Sequence, residues 1–161
     1  MEGKSAQDGA SSGPLPALFD DLVRCETRLY NAIGDRLQAR HGLTTAQFEA
    51  LRLLRARPGA RVGELATAFV IGAGAASKVA DRLVARGWAR RRPNPQDRRS
   101  ALLDLTPEGG DLVDAAETTF TTALAELLDP ALDPATVAVV ARALAGLRAS
   151  LEGEGAGTPA G

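Results

Sequence analysis

One segment breaks the pattern of an otherwise helical chain. Trp88 to Arg92 reads as a strand, Asn94-Pro95-Gln96-Asp97 as a turn, and Ser100 to Leu105 as the returning strand. On either side, apolar residues recur every three to four positions, the period of amphipathic helices. The fold must therefore seat one β-hairpin within a helical body. Aromatics make up only 4% of the 161 residues, so the core has to come from Leu, Val and Ala, which also favour helix.

Start and stop signals divide the helices. The first is expected from about Pro16 to Arg40, with Leu18, Leu22, Cys25, Leu29, Ile33 and Leu37 as its stripe and His41-Gly42 as its end. Thr44 and Gln47 have capping-box spacing, Leu43 and Phe48 suit a hydrophobic staple, and Pro58-Gly59 stops this second helix. A short helix fits Gly63 to Phe69. After the break at Val70-Ile71-Gly72, a fourth fits Ala73 to Arg86, with Gly87 as its left-handed cap. Thr106-Pro107 and Asp133-Pro134 open two long amphipathic helices. The stripe of the last is Val137, Val140, Leu144, Leu147 and Leu151.

The net charge of −1 hides an asymmetry. Lys78 to Arg99 holds eight basic residues against Asp81 and Asp97, so this segment carries +6 and the remainder −7. A basic module on an acidic body points to a local polyanion site. A short helix, a tight break and a second helix form a helix-turn-helix, whose second helix enters the major groove. Its polar readers are Ser77, Lys78 and Arg82, because Ala73 to Ala76 are all Gly or Ala. Arg90, Arg91, Arg92, Arg98 and Arg99 crowd the hairpin and repel one another unless a polyanion lies nearby. Asp97 is placed to pair with Arg99 and hold the tip in shape; an isolated exposed pair would be worth only about 0–1 kcal/mol.

The runs VGELATAF and ASKVADRLVARGWARRRPNPQDRRSALLDLTPEG resemble the multiple-antibiotic-resistance regulator (MarR) family. ADRLVARG, the hairpin DRR and the exit LTPEG are the most specific parts, and the helical order matches over about residues 16 to 151. The resemblance implies a mainly α fold: a winged helix-turn-helix lobe (44–106) with a β-hairpin wing, between dimerisation helices (16–42 and 107–151). It implies a homodimeric, ligand-responsive repressor on a pseudo-palindromic operator in double-stranded DNA, with no cofactor. By the Asp-x-Arg wing motif, Asp97 would brace the wing and Arg99 would enter the minor groove. Ser77, Lys78, Arg82, Arg90, Arg92, Arg98 and Arg99 are the candidate DNA contacts. Relatives often carry Ser or Thr where this chain has Ala73 to Ala76, which moves the expected weight to Ser77, Lys78, Arg82 and the wing.

Family members often bind small aromatic or phenolic ligands between the lobe and the dimer helices. Tyr30, His41 and Trp88 are candidates for such a pocket, though a helix-end role for His41 and packing at the wing base for Trp88 are the simpler readings. Cys25 is a candidate redox sensor by resemblance to one branch of the family; packing on an apolar face is the simpler role. No Cys/His cluster has metal-ligand spacing, and no phosphate loop or nucleophile–base pair marks an enzyme. No stretch reads as a membrane span or signal core, so a cytoplasmic location without a membrane partner is expected. Residues 1–13 and 152–161 read as disordered tails. The competing function is a winged-helix protein-interaction module whose basic hairpin docks an acidic partner.

Overall fold

The helix starts follow from local hydrogen bonding. In the computed structural model, which describes residues 13–157, Thr44 Oγ1 accepts from Gln47 N at 3.2 Å and Gln47 Oε1 accepts from Thr44 N at 2.9 Å. Gly109 N donates to Thr106 Oγ1 and Thr136 N to Asp133 Oδ1, each with Pro in the first turn. The elements are α1 (Pro14–His41), α2 (Thr45–Ala56), β1 (Ala60–Arg61), α3 (Val62–Phe69), α4 (Ala73–Ala85), β2 (Ala89–Pro93), β3 (Ala101–Leu105), α5 (Pro107–Leu128) and α6 (Pro134–Gly153).

The chain turns by 118° between α3 and α4, the geometry of a helix-turn-helix. Val70 makes that turn at φ 52°, an uncommon conformation for a β-branched residue. Gly87 ends α4 at φ 75°, with Trp88 N donating to the Leu83 carbonyl and Gly87 N to that of Val84. The hairpin pairs Ala89 with Leu105 through Pro93 with Ala101. A strand not expected from the sequence, β1, adds to the other edge of β3 through Ala60–Leu103 and Arg61–Leu102, giving the order β1-β3-β2.

The core joins α2, α3 and α4 to the sheet and to α5. Leu37, Leu43, Phe48, Leu51, Leu54, Leu65, Leu83, Leu103 and Val113 are fully buried. Along α5, Glu126 pairs with Arg36 of α1, and Glu117 and Asp114 pair with Arg52 and Arg55 of α2. The Arg52 guanidinium also lies over the Phe48 and Phe120 rings. At the root of α5 the contact is backbone to backbone. A Cβ on Gly109 would collide with the Trp88 carbonyl oxygen.

Several expectations need correction. The α1 stripe is buried only at Ile33 and Leu37, while Leu18 and Cys25 are exposed. No residue of α6 is buried. By length and composition alone α6 is apolar enough to span a membrane, which is weak evidence and does not overturn the sequence reading. Arg142 sits at its middle, where a charge costs roughly 2.5–3.5 kcal/mol. The helix passes the expected boundary at 151, and turns follow through Gly157. The rest of the expected tails, residues 1–12 and 158–161, lies outside the described residues.

Candidate nucleic-acid interface

The first turn of α4 is bare. Gly72 caps it without a side-chain hydrogen bond, and Ala73, Gly74 and Ala75 are exposed. Ser77 is half-buried, while Lys78 and Arg82 are exposed and lie one turn apart on one face. Arg82 continues towards the start of α2, where it borders a hollow with Thr44 and Gln47.

The wing turn is a built arch. Asn94 is buried; its Nδ2 donates to Ser100 Oγ at 2.9 Å and its Oδ1 accepts from Gln96 N at 3.0 Å. Arg99 N donates to Asp97 Oδ1 at 3.0 Å. Asp97 therefore engages Arg99 through the backbone rather than through the expected ion pair. That backbone bond, followed by one from the Ser100 hydroxyl, holds the Asp97 carboxyl below its ordinary pKa, with a smaller contribution from the charge of Arg61. The arch leaves the Arg98 and Arg99 side chains exposed, and among the described residues no acid pairs with either.

The strand splits the remaining arginines. Alternate residues face opposite sides of a strand. Arg91 turns towards α4 and pairs with Asp81 at 2.7 Å. Arg92 turns the other way and pairs with Asp104 beside Gly59. Arg90 borders a hollow with Asp104, Asp111 and Asp114, next to the ends of α2 and α5. The structure thus sets Arg90 and Arg92 beside acids, unlike Lys78, Arg98 and Arg99, with which the sequence had grouped them.

Tyr30, His41 and Trp88 are not brought together. His41 Nε2 is 2.8 Å from Thr119 Oγ1 in the middle of α5. Trp88 is buried at the wing base under the Arg86 guanidinium and against Gly109, ten residues and thus ~15 Å along α5 from Thr119. Tyr30 lies eleven residues before His41 on α1, half-exposed. Burial raises its hydroxyl pKa, and Glu49 and Glu26 raise it further. The carboxyl of Glu49 is itself raised, chiefly by burial, with Arg52 opposing and Glu26 adding. Among the described residues no group of His, Cys, Asp and Glu could hold a metal ion.

Sequence reasoning missed Asn94, whose NP dipeptide signalled only a turn. It also missed Gly109, which looked like an ordinary helical residue, and Arg61, which precedes α3 without any motif.

A helix-turn-helix backed by a three-stranded sheet and flanked by a braced basic hairpin defines the winged-helix class. A MarR family model matches residues 41–100. The multiple antibiotic resistance protein MarR of Salmonella typhimurium is 33% identical over 98 residues, covering 57% of this chain and 68% of that one. The Escherichia coli protein of the same name is 36% identical over 96 residues, covering 60% and 64%. Among solved structures, wild-type apo MarR from E. coli superposes with TM-score 0.72 at 26% identity, over 86% of this chain and 98% of that one. Sco3205, a MarR family transcriptional regulator from Streptomyces coelicolor solved in complex with DNA, gives TM-score 0.81 at 21% identity over 96% and 98%, a likeness of fold. The chain belongs to the MarR family, a family of DNA-binding transcription regulators.

Proposed function

We propose that the chain acts in the cytoplasm as a homodimeric, ligand-responsive repressor on a pseudo-palindromic operator. The observation that carries the DNA-binding part is the wing. Asn94, Asp97 and Ser100 form a hydrogen-bonded arch that holds two arginines, Arg98 and Arg99, in solvent, with no acid paired to either among the described residues. Arginine at such a tip suits the enhanced negative potential of a narrow minor groove. Lys78 and Arg82, with Ser77 beside them, face the adjacent major groove and its phosphates. The small exposed residues at 73–75 allow close approach but supply few hydrogen bonds, so backbone and minor-groove contacts dominate. Arg92, held by Asp104, and Arg90, among acids, contribute less.

The dimer is supported by what the single chain leaves open. Leu15, Leu18, Phe19 and Val23 of α1 and Val137, Val140, Leu144, Leu147 and Leu151 of α6 are exposed. An apolar stripe in water is unfavourable, and a second copy is the simplest cover. Ligand response rests on the family alone. A small aromatic or phenolic effector would enter between the outer helices and the lobe, where Tyr30 offers an exposed ring, whereas His41 and Trp88 serve packing. Cys25 lies in the exposed half of α1.

The test is selection of bound DNA from a random pool, repeated with candidate effectors. Enrichment of a two-fold sequence with half-sites about 34–36 Å apart supports the reading. A purified protein that enriches nothing favours the protein-interaction module.

A further inference from the structure

Charge pairing accounts for Arg91 and Arg92 on the wing flank but not for Arg61. Arg91 is paired with Asp81 and Arg92 with Asp104. Arg61 is exposed, and among the described residues no carboxylate lies within ion-pair distance of its guanidinium. The nearest acid in sequence is already engaged: Glu64 Oε2 accepts from the backbone N of Arg61 at 2.7 Å and caps α3.

The position of Arg61 is set by three constraints. It ends β1, in register with Leu102, which is itself in register with Arg92. It is the N-cap residue of α3, the first helix of the helix-turn-helix, and such helices cross the DNA backbone. It also borders a hollow whose other wall is the wing turn, with Asn94, Pro95 and Gln96. Arg61 therefore joins Arg98 and Arg99 around one arch. The Asp97 carboxyl feels the charge of Arg61 without forming an ion pair with it, which leaves the guanidinium free to meet a phosphate.

We infer that Arg61 is a further DNA-contacting residue, binding a backbone phosphate on the strand that borders the minor groove entered by the wing. This rests on the DNA-binding reading above. The contact is to phosphate, so it strengthens binding without selecting sequence.

The experiment uses the full-length protein and a DNA duplex selected from the random pool, titrated from 50 to 200 mM salt beside a scrambled duplex. Arg61→Gln is expected to weaken binding to both duplexes by about the same factor, roughly 5- to 20-fold, and Arg61→Lys to restore most of it. With one phosphate lost per protomer, the slope of log K against log salt becomes shallower by about 2 in a dimer. Melting temperature and sedimentation stay those of the parent. Unchanged affinity and slope overturn the inference. So does weakened binding at an unchanged slope, which makes Arg61 a brace for the wing. A parent protein that binds neither duplex overturns the DNA-binding reading as well, which separates the two failures.

Discussion

The winged lobe and the outer helices use the same small set of apolar residues to opposite ends. In the lobe, Leu43, Phe48, Leu51, Leu65, Leu83 and Leu103 are all fully buried against residues of the same chain. In α6, Leu144, Leu147 and Leu151 recur with equal regularity, yet each stays more than 40% exposed. Burying one such side chain is worth about 1.5–3 kcal/mol, so the lobe is complete and α6 is not. A periodic stripe identifies an apolar face. It does not say whether the surface that covers it belongs to the same chain.

The sharpest way to break this contrast is to charge the uncovered face. The double variant Leu144→Asp, Leu147→Asp is expected to sediment as a monomer at micromolar concentration and to lose operator affinity at least ~100-fold, with the lobe still folded. A variant that stays dimeric would show that α6 is not the uncovered half of an interface. Within the lobe, Gly109→Ala drives a methyl into the Trp88 carbonyl and is expected to cost about 3 kcal/mol in thermal unfolding, the upper part of the overpacking range. On the lobe surface, Arg99→Ala is expected to weaken DNA binding by about 1–3 kcal/mol, whereas Arg91→Ala, already paired with Asp81, changes it by less than ~3-fold. Equal effects in a gel-shift titration would cancel the distinction between free and paired arginines.

Two smaller effects refine the lobe itself. Val70→Gly removes a left-handed β-branched residue, and the gain of about 1–2 kcal/mol, less the entropy cost of glycine, should raise stability by roughly 0.5–1 kcal/mol. An unchanged or lower melting temperature would show that the turn is not strained. The last concerns pH. The pKa of Asp97 is lowered on folding, so its brace is present above the ordinary aspartate value near 3.9 and is lost as pH falls through the lowered one. Exchange protection of the Arg99 amide should persist at pH 5 and fade only below the ordinary range. Loss of protection between pH 5 and 7 would contradict the bond.

What the sequence made legible was local. Thr44 with Gln47, Thr106 with Pro107 and Asp133 with Pro134 marked helix starts within a residue or two, because each signal is closed by atoms three positions away. Gly87 marked the end of α4 for the same reason. What stayed hidden was nonlocal. Strand β1 is two residues long, too short to show alternation, and exists only because β3 offers it an edge. The pairing of Arg91 and Arg92 with opposite faces needed the register of the hairpin. The burial of Asn94 needed the arch around it. The exposed half of α1 matched the buried half in pattern and differed only in what lies opposite.

The close approach of Gly109 to Trp88 has a mechanical meaning. From Gly109 to Leu128, α5 is a rod of ~28 Å whose lower end is wedged against the wing base with no side chain between. A tilt of about 10° at that pivot sweeps the far end through ~5 Å. By the same geometry, a displacement of a few ångströms at the far end of α5 corresponds to a rotation of a few degrees about the Gly109–Trp88 contact.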